Sequence, residues 1–366
     1  MKNIYIQLLE AFKEHVPFAL ATIVQTKGST PQIPGASALF SSEGLIAGTL
    51  GGGILEADAE KRAMRSLEKR ASCIYEFNLT GDIISTDEAI CGGEVTILVD
   101  AHPEKHMNTV LSMRQSLEKR QSGVMATFIG KNAGGNVSVS RQWIDKTEHM
   151  ATGTALPYDL SQNQLSKILS TSTPCFQALN SGRSNEHAEE AWTFLEPIQP
   201  LPQLIIAGAG HVGQAVSHLG RLLNFEVTVI DDRSEYANSK SCPDADHIIV
   251  KDIGKAIKDA PIASDTYIVI VTRGHNKDAE TLRSCIDSEA AYIGMIGSTR
   301  KTALMRTKFL EEGWATPSQF DCVYAPIGID IQSKTVQEIT ISIAAQLVQV
   351  RRMKQKHERE VPWSGP

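Results

Sequence analysis

Apolar and polar positions follow two different rhythms in the two halves of the chain. Residues 4–15 carry apolar side chains at helical spacing and predict an amphipathic helix. The run PFALATIVQT (17–26) predicts a strand, followed by a loop over Lys27–Gly35 and a hairpin of 36–40 with 44–48 across Ser41-Ser42-Glu43. A glycine loop then passes into a helix over about 52–70, with Ile54, Leu55, Ala59, Ala63 and Leu67 as its apolar stripe. Strands are expected at 73–79 and 94–100. The pattern weakens after that. It predicts a helix near 104–120, strands near 123–130 and 136–143, a short helix near 162–170, and strands near 174–179 and 192–197.

EPIQPLPQ breaks the first rhythm with Pro197, Pro200 and Pro202, and reads as a linker over 197–202. Beyond it, short β-branched runs (LIIAG, EVTVID, HIIV, TYIVIVT, AYIGMIG) alternate with helix-like stretches. That alternation predicts βαβ units and a parallel sheet. A final amphipathic helix is expected from about Thr335 to Arg352, with 353–366 as a basic tail. The fold class expected is therefore α/β. A mixed α/β domain over 1–196 is followed by a Rossmann-like domain over 203–352.

The chain of 366 residues has room for two or three domains. Apolar residues make up 42% and charged residues 21%, as in a soluble globular protein. With 36 basic and 42 acidic residues the net charge is −6, which gives no general attraction to nucleic acid or an anionic membrane. Aromatics at 6% do not favour base-stacking platforms. No signal-peptide pattern is visible, and no apolar run approaches the ~18 residues of a membrane span. A cytoplasmic, reducing location with free thiols is expected. The six cysteines are scattered without a CxxC pair, against a zinc knuckle or a clustered iron–sulfur site.

LIIAGAGHVG carries a dinucleotide-type fingerprint directly after a predicted strand. Gly208 allows the tight turn, Gly210 lets a pyrophosphate approach the backbone, and Gly213 lets helix and strand pack closely. The following helix offers free N–H groups to a phosphate. Asp231 ends the next strand 18 residues after Gly213, where a ribose-binding acid belongs. His211, inside the loop, reads as a hydrogen-bond donor rather than a metal ligand. TRGH places Arg273 and His275 at a strand's carboxyl end, where such sheets bind ligands. Arg273 can fork onto a phosphate. His275 reads equally as an acid–base group or as a cap of the next helix. In GMIGSTRK, Gly297 precedes the natural N-cap Ser298, with Arg300 and Lys301 in the first turn. Cations there oppose the helix dipole, which favours an anion site.

In the first half, Gly51, Gly52 and Gly53 precede a helix and leave backbone free to approach a ligand, with Glu56 in the first turn. KGSTPQIPGA is a second small-residue loop. Cys91 stands beside Gly92 and Gly93 at a strand start. It reads either as a soft metal ligand or sulfur carrier, or as a small buried side chain.

These constellations together resemble the XdhC/CoxI family, accessory proteins of xanthine dehydrogenase and related molybdenum hydroxylases. GST-P-x-x-PGA, GTLGGGILEA and CGG-x-V carry the likeness over 28–99. GAGHVG, VTVIDDR, TRGH-x-x-D, AAYIGMIGSTRK and APIGIDI carry it over 203–352, and residues 104–195 carry none of it. The resemblance implies a maturation factor that binds molybdenum cofactor (molybdopterin), assists its sulfuration and delivers it to apo-xanthine dehydrogenase or a related hydroxylase. A cysteine desulfurase and a homodimeric state are further implied partners. On this reading Gly51–Gly53, Glu56 and Cys91 are candidate cofactor contacts, with Cys91 as the contact to the metal. Gly208, Gly210, His211, Gly213, Asp231, Arg273, His275, Gly297, Ser298 and Arg300 would hold phosphate or pterin groups. Gln32 stands where many members carry a basic residue, so no phosphate contact is expected there. Members are sometimes labelled xanthine dehydrogenase, but this chain lacks the clustered cysteines of that enzyme's iron–sulfur modules. Two other readings stay open. One is an NAD(P)-dependent oxidoreductase, which explains Gly208–Asp231 but not the first block. The other is a nucleotide-sensing regulatory module.

Overall fold

The computed structural model describes residues 3–79, 92–145, 161–179 and 190–360. The chain divides into two compact units, Met1–Pro200 and Leu201–Pro366.

Unit one holds two antiparallel sheets. The first contains β1 (Phe18–Lys27), β2 (Ser37–Ser41), β3 (Gly44–Gly48), β4 (Cys73–Asn78) and β5 (Glu94–Asp100), in the order β3-β2-β1-β5-β4. β1 is buried on both faces, which explains its unbroken apolar run. Ala19, Ala21 and Ile23 pack with Leu55, Ala59 and Ala63 of helix α2 (Gly53–Lys69). Phe18 and Leu20 point the other way, to Tyr5, Leu8 and Leu9 of α1 (Ile4–Lys13) and Val110 and Met113 of α3 (Met107–Glu118).

The stretch without motifs forms the second sheet. Strands β6 (Gly123–Lys131), β7 (Val137–Asp145), β8 (Cys175–Ala178) and β9 (Glu190–Ile198) run in the order β7-β6-β9-β8. Val124, Ala126 and Phe128 of β6 pack on Leu165 and Ile168 of α4 (Gln162–Thr171), while Ile129 meets Val24 and Leu98 of the first sheet. The strand period of two thus supplies both interfaces. The proline-marked stretch expected to be a linker begins inside β9, which includes Pro197.

Unit two is a five-stranded parallel sheet of β10 (Gln203–Ala207), β11 (Glu226–Asp231), β12 (His247–Val250), β13 (Thr266–Ile270) and β14 (Tyr292–Met295). Its order, β12-β11-β10-β13-β14, reverses direction between β10 and β13. That is the switch point of a doubly wound Rossmann-type sheet. Helices α5 (His211–Leu222) and α10 (Val336–Glu360) cover one face around Leu204, Val216, Ile343 and Leu347. Helices α6 (Ile253–Asp259), α7 (His275–Arg283), α8 (Thr299–Glu311) and α9 (Pro317–Asp321) cover the other, around Ile205, Ile257, Leu282 and Phe309. The last helix is longer than its apolar stripe predicts. It continues to Glu360 through a run of Arg, Lys, Gln and Glu, all good helix formers. No helix among the described residues is long and apolar enough to cross a membrane.

Candidate functional site

In unit one the fold brings three separated loops together. The loop after β1 (27–35) lies between the glycines that precede α2 and those that precede β5. A Cβ on Gly51 would come 2.9 Å from Pro31 and 3.1 Å from Gln32. On the other side, a Cβ on Gly28 would lie 3.1 Å from the Gly92 carbonyl oxygen, and one on Gly93 would overlap the Ser29 carbonyl. The glycines of GST and CGG therefore allow close backbone approach to one another, Gly51 of GTLGGG approaches the Pro31 and Gln32 side chains, and Ser29–Gln32 is the shared centre. Cys91 lies outside the described residues.

Gly51, Gly52 and Gly53 all have positive φ (107°, 74° and 59°), and Gly52 and Gly53 face open space. The loop carries its own anchor. Glu56 Oε2 accepts from the Thr49 hydroxyl at 2.7 Å, the Leu50 N–H at 2.8 Å and the Gly52 N–H at 3.4 Å. Thr49 Oγ1 in turn accepts from the Gly51 N–H at 3.0 Å. Burial raises the Glu56 carboxyl, but these hydrogen bonds outweigh it and hold the group below its usual range. Glu56 is thus turned inward on the loop. It shapes the glycine turn and spends the N–H groups of residues 50–52 inside the protein.

Glu196, at the end of β9, carries no sequence motif. Its Oε2 accepts from the Tyr5 hydroxyl at 2.8 Å. Burial pushes its carboxyl up to about 7, against the opposing effects of the Tyr5 hydrogen bond and the Arg141 charge. Arg141 is itself paired with buried Asp100. Glu196 lines a cavity of about 270 Å³ together with Gln7, Gln32, Gly35, Ser37 and Thr49. Gln32 and Thr49 belong to the converging loops.

In unit two the sequence-selected residues sit at the carboxyl ends of β10, β11, β13 and β14, in two groups. The first surrounds the glycine loop. Gly208, at φ 113°, turns so closely beneath β13 that a Cβ would lie 2.5 Å from the Val271 carbonyl oxygen. A Cβ on Gly213 would overlap the Gly208 carbonyl, whereas one on Gly210 would meet nothing within 4 Å. Gly208 and Gly213 are packing glycines, and Gly210 faces open space. His211 is exposed in the first turn of α5.

Asp231 differs from its expected orientation toward a ribose. It is buried, and Oδ2 accepts from the Ala209 N–H and Arg233 Nη2 at 2.8 and 2.9 Å. Oδ1 accepts from the Arg233 N–H and Nε at 3.0 and 2.9 Å. Burial raises its carboxyl, but these donors outweigh it and lower the group overall. Both oxygens are therefore committed within the protein, Oδ2 to the glycine loop at Ala209 and to Arg233, and Oδ1 to Arg233. The carboxylate that faces outward is the next residue, Asp232, which pairs with Arg273 at 3.6 Å. The DD doublet was visible in sequence, but which of the two turns inward was not.

The second group lines a cavity of about 360 Å³ between the first turns of α7 and α8, where His275, Ser298, Arg300, Lys301 and Lys308 surround Ala279, Leu304 and Met305. Ser298 caps α8 by accepting from the Lys301 N–H. Gly297 packs beside the Lys301 side chain. Asp278, which the sequence left without a role, is buried and receives the Lys301 ammonium at 2.6 Å. Lys301 is thereby neutralised from within, so the expected anion attraction at this helix start falls to Arg300 and Lys308. Among the described residues, no group of three His, Cys, Asp or Glu side chains is placed to hold a metal ion.

Two family models match the chain. The model of the XdhC and CoxI family matches residues 11–78, and that of the XdhC Rossmann domain matches residues 204–347. The chain belongs to the XdhC/CoxI family. It is 25% identical over 354 residues to a Bacillus subtilis protein named as a probable subunit of xanthine dehydrogenase, covering 96% of this chain and 98% of that protein. It is 22% identical over 346 residues to the molybdenum cofactor insertion chaperone PaoD of Escherichia coli, covering 94% and 86%. It is also 23% identical over 353 residues to YqeB of E. coli, covering 95% of this chain but only 46% of that longer protein. A Bacillus halodurans crystal structure described as a xanthine dehydrogenase has the same fold, with a TM-score of 0.72 at 23% identity over 99% of this chain and 98% of that one.

Proposed function

We propose that this XdhC/CoxI protein binds molybdenum cofactor as cargo, assists its sulfuration and hands it to apo-xanthine dehydrogenase or a related molybdenum hydroxylase. The observation that carries the reading is the convergence of the GST, GTLGGG and CGG loops around Ser29–Gln32. The close glycine packing holds the three loops at one place, and Gly52 and Gly53 leave open space beside them for a polar organic ligand. Family membership and the likeness to a cofactor insertion chaperone support it. Cys91, which precedes Gly92 in the sequence, is proposed as the thiolate contact to the cargo's metal or sulfur. A cysteine desulfurase as sulfur donor, a homodimeric state and a cytoplasmic location belong to the same proposal.

Calorimetric titration of the purified protein with molybdenum cofactor and, separately, with NAD(H) tests it. Cofactor binding followed by reconstitution of an apo-hydroxylase is expected. Tight NAD(H) binding without cofactor binding overturns it. That outcome would favour an NAD(P)-dependent oxidoreductase, for which the open Gly210 and outward Asp232 are the supporting features.

A further inference from the structure

Glu196 is unusual among the described carboxylates of unit one. It is largely enclosed, yet one of its oxygens faces a cavity. Tyr5 occupies Oε2 from below. Oε1 is the atom nearest to where a Cβ on Gly35 would stand, at 3.4 Å, so the missing side chain leaves this oxygen uncovered on the cavity side. Gln7 contributes a second observation: its Oε1 is buried without a hydrogen-bond partner, and Gln7 lines the same cavity. Buried acceptors left without donors are costly, and they become favourable when a ligand supplies the donors. Gln32 completes the lining and also touches the glycine loop at Gly51. The cavity, about 270 Å³, is just under the ~300–1,000 Å³ of drug-sized ligand sites, a size that suits one fused-ring head group.

We propose that Glu196 is the anchor for a heterocycle edge with two adjacent N–H donors, namely the ring N–H and 2-amino group of the cargo's pterin. This inference rests on the cofactor-binding reading. Glu196 Oε1, the oxygen open to the cavity, has two lone pairs and accepts from both donors of such an edge when the carboxylate is ionised, and it rejects an edge where one donor has become an acceptor. The Gln7 and Gln32 amides complement the remaining polar atoms of the ring. The glycine loops above leave space for the rest of the cofactor.

The charged and titratable groups around Glu196 are Tyr5 from α1, Arg141 from β7 and the Asp100 paired with it from β5. His106, coupled to the same Asp100–Arg141 pair, is pushed down by burial. Tyr5 is pushed far up by burial and stays a phenol donor. Burial moves the Glu196 carboxyl up to about 7, so binding that requires its ionised form strengthens as pH rises through about 7.

The test compares pterin with its 2,4-dioxo analogue lumazine, which keeps the fused rings but lacks the 2-amino donor. Fluorescence titration of the whole protein is expected to show about tenfold or greater preference for pterin. Glu196→Gln, nearly isosteric with the protonated acid, is expected to remove that preference while leaving the thermal midpoint close to wild type. Equal affinities for the two rings in the wild type would overturn the proposal without any variant. If molybdenum cofactor binds wild type and Glu196→Gln equally well, the anchor assignment fails and the cofactor-binding reading stands. If molybdenum cofactor binds neither, both fail.

Discussion

Lys301 Nζ lies 2.6 Å from Oδ2 of Asp278, a carboxylate with no solvent exposure. The other oxygen of Asp278 accepts from the Thr272 hydroxyl at 2.6 Å and its N–H at 3.2 Å. One acid therefore joins the exit of β13 to the first turn of α8, the two loops that line the strand ends of unit two. Asp278→Ala removes the acceptor for three donors at once. It is expected to destabilise the protein by about 3 kcal/mol, read as a shift in the urea midpoint. Lys301→Met leaves the buried carboxylate without its counter-charge and is expected to cost at least as much. A shift under about 0.5 kcal/mol for both would show that the pair does not hold the loops.

Glu56 is expected to act on ligand binding only through loop shape. Glu56→Ala frees Thr49 and the Leu50 and Gly52 N–H groups and should cost about 1–2 kcal/mol of stability. Gln retains an acceptor oxygen and should recover part of both stability and cofactor affinity. If Ala leaves affinity intact, the anchored loop does not contact the cargo.

Asp231 makes the stability of unit two sensitive to acid. Its carboxyl lies below the usual range in the fold, because its Arg233 and Ala209 hydrogen bonds outweigh the opposing cost of burial. A depressed folded value contributes stability in full above the unfolded value of ~3.9, and this is lost as pH falls through the folded value. Asp231→Asn should thus lower stability at neutral pH by about 1–3 kcal/mol and flatten the acid limb of a stability–pH profile. Parallel profiles for wild type and variant would contradict the assignment.

The glycines of the dinucleotide-type loop should separate by role. A Cβ at Gly210 meets no protein atom within 4 Å, so Gly210→Val is expected to fold and to block whatever ligand unit two holds. Gly213→Val places atoms on the Gly208 carbonyl and is expected to give misfolded protein. Circular dichroism with a binding titration distinguishes the two. Unaltered ligand affinity in folded Gly210→Val would reject the site.

Cys91→Ala is expected to reduce cofactor retention or transfer about tenfold, equivalent to ~1.4 kcal/mol, with an unchanged thermal midpoint. An unaltered transfer rate to the apo-hydroxylase would remove Cys91 from the proposed path.

Local pattern was enough for the elements. The β-branched runs of unit two became β10–β14, and the weak stretch around 104–195 still yielded α3, β6, β7, α4, β8 and β9 where short apolar runs had placed them. Periodicity reports which face of a segment is buried, and burial is a property of each segment's own residues. The glycine fingerprint was equally readable, because a tight strand-to-helix turn imposes its residue types at fixed spacing.

Direction and partnership were decided by the tertiary structure. Asp231 and Asp232 are identical in sequence, and only the Ala209 N–H and Arg233 brought within 3.0 Å turn the first of them inward. Lys301 looked like a free cation at a helix start until packing set the buried Asp278 against it. Ser29–Gln32, Gly51 and Gly93 are separate loops along the chain, and they converge because β1 pairs with β5 while α2 packs across both. Glu196 had no local signature at all. Its place facing a cavity comes from Tyr5, Gln7, Gln32 and Gly35, which reach it from far away in the chain. Local pattern determines which surfaces seek burial. The environment of a carboxylate depends on which donors the folded chain places within hydrogen-bonding distance, and those come from elsewhere in the sequence.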